Sequence, residues 1–244
     1  MESYFGIRYC FEKDKVHSTI ENMVNSQTSG YVCVADGVTL AMSYKNSGLK
    51  TVLDNASLIT CDSGWVPLYL KSLYSINKEQ YSGSDLMMDL IEQKKYNILF
   101  IGSSDTTLAA LKEELTKKDA RIGQMGFISL PFREVDKFDY DQIAQTIEVN
   151  SPDIIFVSLG MPKQEFFMSR LKPYITKGVM IGVGAAFKFH SGLPNEKRAP
   201  RWMIKSKMEW VYRIFSEPKK QIKRCSLILV TMPRIYWKEY RKKQ

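Results

Sequence analysis

Several polar side chains of this chain stand directly after short apolar runs, where they could do chemistry. Asp36 follows Tyr31-Val32-Cys33-Val34-Ala35, and Asp62 follows a run ending in Thr60-Cys61. A carboxylate at such a place can take a proton from an attacking hydroxyl. The same residue at a strand end is also ordinary turn and cap chemistry. Gly102-Ser103-Ser104-Asp105 follows Asn97-Ile98-Leu99-Phe100-Ile101. Small residues and hydroxyls there can offer free amides to a phosphate or a ribose, or simply turn the chain. Gly123 and Gly126 leave backbone room for a nucleotide, or make turns. Met161-Pro162-Lys163-Gln164-Glu165 opens a helical segment. Proline suits its first turn, and Glu165 complements its dipole. Gly184-Ala185-Ala186-Phe187-Lys188-Phe189 follows another apolar run. Arg198, Arg201, Arg213, Lys219, Lys220, Lys223 and Arg224 come later, interleaved with Trp and aliphatic residues. His190 reads as a loop histidine, because nothing near it in sequence completes a triad.

These groups need a scaffold. Strands are expected over residues 5–11, 31–35, 56–61, 97–101, 122–127, 154–157 and 179–181. Helices are expected over 15–25, 38–45, 65–73, 84–94 (capped by Ser84-Asp85), 106–117, 139–148 and 164–171. Strands alternating with helices imply an α/β fold with a largely parallel sheet covered on both faces. Ligands of such sheets bind beyond the carboxyl ends of the strands, where the polar groups above collect. Amphipathic stretches at 203–215 and 219–230 follow a boundary at Pro194-Asn195-Glu196. The expected organisation is a core over 1–195 and a basic helical appendage over 196–244.

The chain has 244 residues and a net charge of +9. Residues 197–244 carry a net +12, so residues 1–196 carry −3. A block of one sign on one segment points to a polyanionic partner: anionic lipid, nucleic acid or a diphosphate. The cations alternate with Trp202, Met203, Trp210, Ile214, Phe215, Ile222, Leu227 and Ile228, which favours an interfacial helix on anionic lipid. The four cysteines and two histidines are scattered, which argues against a zinc site and a disulfide framework and fits a reducing compartment. No apolar run approaches the roughly 20 residues of a spanning helix, and the N-terminal residues lack the core of a signal peptide.

The spacing between Val157 and Arg213 resembles the WecG/TagA/CpsF glycosyltransferases, glycosyltransferase family 26. The stretches that carry the likeness are VSLGMPKQEFF, MIGVGAAFKFHSG, RAPRWM and EWVYR, and it extends over roughly residues 5–235. The resemblance implies a Rossmann-like domain of the GT-E type with a membrane-docking tail. It implies an inverting transfer from a UDP-sugar, N-acetylmannosamine or a relative, to a GlcNAc-diphospho-undecaprenol acceptor in bacterial cell-surface polysaccharide synthesis. It places the enzyme in the cytoplasm, peripheral on the inner face of the plasma membrane. By residue it implies Asp62 as the base, Gln164 as a substrate contact and Arg213 as a cation on the leaving diphosphate. It extends the substrate-binding set to Asp36, Thr39, Gly102, Ser103, Gly126, Pro162, Lys163, Glu165, Gly184, Lys188, Arg198, Lys220 and Lys223. The chain departs from the family pattern at several positions: Val34 replaces a hydroxyl, Asp36 an Asn and Lys188 an Asp, the glycine after Asp62 comes one place later, as Gly64, and Lys220 and Lys223 stand near positions where arginine is expected. No DxD motif or other metal cluster is evident, so neither a metal nor an organic cofactor is expected.

Other classes remain open. A nucleic-acid-binding protein would explain the charge but not the bulky aliphatic residues of the tail, so no nucleic acid is expected as partner. An oxidoreductase would need a glycine fingerprint after the first strand, where Phe11-Glu12-Lys13-Asp14 stands. An inactive membrane scaffold of the same fold, and self-association into a homo-oligomer, are further alternatives.

Overall fold

The computed structural model describes residues 2–194, 199–200, 202–203, 209–216 and 218–243; the side chains of Glu2, Glu209, Trp210, Arg213, Ser216 and Lys220 are outside the description. The chain opens with a hairpin, β1 (Glu2–Tyr4) and β2 (Ile7–Tyr9), where one strand over 5–11 is expected from the sequence. Phe5 and Gly6 both take positive φ (54° and 80°), and that left-handed pair reverses the chain.

Six strands then form one parallel sheet in the order β4-β3-β8-β7-β5-β6. They are β3 (Gly30–Ala35), β4 (Leu58–Cys61), β5 (Ile98–Gly102), β6 (Gly126–Ile128), β7 (Ile154–Ser158) and β8 (Val179–Gly182). All but β6 are buried throughout. Their residues alternate between two cores. Tyr31, Cys33, Ala35, Leu99, Ile101, Ile155, Val157 and Met180 enter one; Val32, Val34, Ile98, Phe100, Ile154, Phe156, Val179 and Ile181 enter the other. That period of two, with both sides apolar, is why the strands read as continuous hydrophobic runs.

The first core is covered by α2 (Gly37–Lys45), α3 (Ser47–Asp54), α4 (Trp65–Tyr74), α7 (Tyr140–Asn150) and α8 (Lys163–Leu171). The second is covered by α1 (Lys13–Asn25), α5 (Gly83–Glu92), α6 (Asp105–Thr116) and α9 (Ala186–His190). Helix α3 has no counterpart in the sequence expectation. Its Leu49, Val52 and Leu53 form a buried stripe only about two turns long. Helix α5 starts one residue earlier than expected, because Ser82 and not Ser84 accepts the Asp85 amide, at 3.1 Å. The expected strand over 122–127 shrinks to β6, since residues 120–124 form a 3-10 turn capped by Asp119.

Two helices close the described chain, α10 (Glu209–Ser216) and α11 (Pro218–Lys243). Helix α11 runs through Pro233, well past the expected end at 230. Pro233 removes one backbone hydrogen bond, but it sits on the exposed side, where water can replace that bond. The inner stripe holds Gln221, Thr231, Met232, Ile235 and Glu239, all buried. Met232 and Ile235 join the first core. The Tyr236 ring meets Tyr69 edge-on at 5.5 Å, and its hydroxyl pairs with Ser72 at 3.0 Å. Tyr74 donates to buried Glu239 at 3.0 Å. The C-terminal helix is thereby packed along α2 and reaches α4 with its last turns.

Candidate active site

After β3 and β7 the chain turns toward one face of the sheet, into α2 and α8; after β5 and β8 it turns toward the other, into α6 and α9. Neighbouring strands whose connections leave on opposite faces open a crevice at their carboxyl ends. The candidate residues gather there.

Register pairs Ala35 with Cys61, so Asp36 and Asp62 leave adjacent strands side by side, with backbones about 5 Å apart. Asp62 is half-buried, and its amide donates to Ala35 at 3.0 Å. Ser63, the next residue, accepts from the Trp65 and Val66 amides at 3.3 Å and starts α4. Asp36 caps α2: its Oδ1 accepts from the Thr39 amide at 2.7 Å and from the Thr39 hydroxyl at 2.9 Å. Its Oδ2 accepts from Arg224 of α11 at 2.6 Å. Both oxygens of Asp36 are thus committed, and Thr39 is buried with its hydroxyl turned to Asp36. Between the two strands Cys61 is buried, and desolvation pushes its thiol up to about 12, so it stays neutral and is no nucleophile. The Tyr9 hydroxyl, also buried, has no hydrogen-bond partner among the described residues; burial first, then the nearby Cys61 thiol and Asp36 carboxyl, pushes its pKa well up.

On the other side of the crevice Gly102 has φ 103°, and a Cβ there would meet the Ser158 carbonyl at 2.5 Å. Ser103 follows at φ 67° and donates its amide to that carbonyl at 3.1 Å. The Ser158 hydroxyl donates to the Gly184 carbonyl at 2.6 Å, and the Gly184 amide donates to Gln164 Oε1 at 3.0 Å. Gln164 Nε2 donates in turn to Glu165 Oε1 at 3.0 Å. Gln164 and Glu165 are both buried. Glu165 Oε2 has no partner, and burial pushes this carboxyl up to about 7, with Gln164 opposing and Asp36 reinforcing the rise.

Pro162 precedes α8 through a cis peptide bond with Met161. Lys163, the first residue of α8, holds its ammonium 5.1 Å from the ring centres of both Phe132 and Phe138. Desolvation lowers its pKa. Lys188 lies exposed on α9. Gly126 stands apart from the crevice: it pairs with Leu99 inside the sheet, and a Cβ there would meet Asn150 and Leu99 at 2.5 Å. Arg198 lies outside the described residues, as does Arg201, and nothing is described of the Arg213 and Lys220 side chains. Lys223 is exposed on α11, and it is Arg224, one position on, that reaches the crevice. The sequence names Arg224 only as one of a run of cations and Ser158 only as the end of an apolar strand, with no role in the site for either. The run of cations around Arg224 marks charge without telling which one turns inward, and Ser158 reads as the last residue of a buried strand.

Residues 4–244 match the family described as the Glycosyl transferase WecG/TagA/CpsF family. The chain belongs to this family. It is therefore a bacterial-type glycosyltransferase on a Rossmann-like sheet, as its sequence resemblance implies. Relatives carry the name N-acetylglucosaminyldiphosphoundecaprenol N-acetyl-beta-D-mannosaminyltransferase. The one from Bacillus spizizenii is 29% identical over 179 residues, which is 72% of this chain and 67% of the relative. That of Bacillus subtilis strain 168 is 28% identical over 172 residues, 68% of this chain and 64% of the relative. That of Staphylococcus aureus strain MW2 is 23% identical over 221 residues, 86% of this chain and 83% of the relative. Among the described residues, no helix is long and apolar enough to cross a membrane.

Proposed function

We propose that this enzyme moves N-acetylmannosamine, or a close relative, from its UDP-sugar to a GlcNAc-diphospho-undecaprenol acceptor, with inversion at the anomeric carbon. The relatives' name supports the acceptor and the sugar. The observation that carries the chemistry is the pair of carboxylates abreast at the ends of β3 and β4, at the mouth of the crevice. Asp36 caps α2 and pairs with Arg224, and Asp62 stands where the family resemblance puts the base. In this reading Asp62 takes the proton from the acceptor hydroxyl as its oxygen attacks the anomeric carbon. The bond to UDP breaks on the opposite face, and the leaving diphosphate carries the negative charge away. Arg213, with Lys220 or Lys223 and Arg198, supplies positive charge for that diphosphate. Gly102, Ser103 and Gly184 bound the donor site with small residues and open space. A Cβ at Gly184 would meet nothing within 4 Å. Lys163 and Lys188 flank it. Gln164 and Glu165 act from beneath. Thr39 contributes through Asp36, and Gly126 through sheet packing.

Among the described residues no group of three His, Cys, Asp or Glu side chains is placed to hold a metal ion. The outer face of α10 and α11 exposes Phe215, Ile222, Leu229, Val230 and Trp237 among lysines and arginines. It supports docking on the anionic inner face of the plasma membrane, where the lipid acceptor resides.

The test is transfer from a panel of labelled UDP-sugars to a short-chain GlcNAc-diphospho-lipid in EDTA, comparing wild type with Asp62→Asn. Wild-type transfer, abolished in Asp62→Asn with donor binding retained, is the expected result. Equal transfer by both would remove Asp62 as base. No transfer by wild type from any UDP-sugar would sink the donor assignment.

A further inference from the structure

A chain of hydrogen bonds crosses the carboxyl ends of three strands and ends in a buried acid. The Ser103 amide at the end of β5 donates to the Ser158 carbonyl of β7 at 3.1 Å. The Ser158 hydroxyl donates to the Gly184 carbonyl beyond β8 at 2.6 Å, and the Gly184 amide donates to Gln164 Oε1 at 3.0 Å. Gln164 Nε2 then donates to Glu165 Oε1 at 3.0 Å. Gly184 is thus held from both sides, by its carbonyl and by its amide, at a positive φ of 57°. An amide side chain can point either way. Its orientation here is fixed from both ends, because the Gly184 amide needs an acceptor and Glu165 Oε1 offers one to Nε2. Gln164 also lies over the end of β8, where a Cβ on Gly182 would meet its Nε2 at 2.9 Å.

We infer that Glu165 is a positioning residue for the transfer reaction: through Gln164 it sets the backbone turn at Gly184 that walls the donor side of the crevice. The inference rests on the proposed glycosyl transfer for its kinetic consequence and on the hydrogen bonds alone for its structural one. Preorganised turns held by buried hydrogen bonds keep a site from relaxing when charge develops. Glu165 does not touch substrate in this arrangement, since it is fully buried on the side of α8 that faces β3. Cys33 of β3, Asp36 at its end and Arg224 of α11 are the titratable and charged groups that bear on it. Burial keeps its proton on up to about 7, so below that pH the relay ends in a neutral acid. Above it, a carboxylate forms beside Asp36 under a site meant for a diphosphate.

Three variants decide the matter: Glu165→Gln, Glu165→Ala and Ser158→Ala, each checked by thermal melting. Glutamine still offers an oxygen to Gln164 Nε2, so Glu165→Gln should transfer within about threefold of wild type. It should also lack the rise in donor KM that is expected of wild type as pH passes about 7. Glu165→Ala leaves Gln164 Nε2 unpaired and should lower kcat by about tenfold, as an orphaned buried donor would. Ser158→Ala frees Gly184 from the opposite side and should act in the same direction. Amide hydrogen exchange at Gly184 reads the relay without any turnover. Protection should fall in the alanine variants and persist in Glu165→Gln. Unchanged kcat and unchanged Gly184 protection in folded Glu165→Ala would overturn the inference, as would Glu165→Gln impaired as much as Glu165→Ala. If wild type transfers no sugar at all, the glycosyl-transfer reading fails, and Gly184 exchange still decides whether the relay exists.

Discussion

Asp36 shows how one residue's environment selects its role. It stands where a carboxylate could serve as a base, yet it accepts from the Thr39 amide, the Thr39 hydroxyl and Arg224. An ionised carboxylate with that many donors holds a structural place. Asparagine, which the family resemblance leads one to expect there, could keep the α2 cap through its oxygen. Its amide would then face the Arg224 guanidinium, donor against donor. The ion pair is partly exposed on both sides, so its worth is modest. A double-mutant cycle of Asp36→Asn and Arg224→Gln, read by chemical denaturation, should show coupling of about 1 kcal/mol. Strict additivity of the two losses would mean that the contact couples nothing.

Helix α11 has two faces with different work. Residues 221, 224, 228, 231, 232, 235 and 239 recur at helical spacing, and each is buried or half-buried against the core. Glu239, buried on that face, is held by Tyr74 and by Lys242 at 3.1 Å. The outer face carries Ile222, Leu229, Val230 and Trp237. The inner face makes the helix part of the fold. Met232→Ala and Ile235→Ala should each lower stability by about 2 kcal/mol in urea titrations, because each opens a cavity beside the first core. Losses near zero would show that α11 does not dock in solution.

Over the whole molecule charge and apolar surface fall on the same end. The last 48 residues carry +12 while the remainder carries −3. Attraction to an anionic surface acts at a distance, and the exposed aliphatic and aromatic side chains hold once contact is made. Sedimentation with vesicles should show binding to phosphatidylglycerol-rich membranes that weakens as salt rises, and little binding to neutral ones. Leu229→Ser with Trp237→Ser keeps the charge unchanged and should weaken binding to anionic vesicles by about tenfold or more without moving the melting temperature. Binding that survives this pair undiminished would rule out insertion of that face.

Local pattern alone determined the class of fold. Apolar runs such as Ile154–Ser158, alternating with helical segments, admit little besides a parallel sheet buried on both faces. It also placed Asp36, Asp62, the Gly102 turn and the Pro162-to-Glu165 segment at strand ends, because a side chain's position along its own strand is local information. Contacts across the sheet were beyond it. That β8 lies between β3 and β7 follows from no local period, and that strand order brings Gln164 to Gly184 and Ser158 to both neighbours. Gly126 looked like room for a ligand and is instead a close approach to Leu99 and Asn150. The short stripe of α3 and the run of α11 through Pro233 depend on tertiary burial outweighing weak or contrary local signals. The choice of Arg224 over its neighbouring lysines was settled only when α11 packed, since one residue along a helix turns a side chain by about 100°.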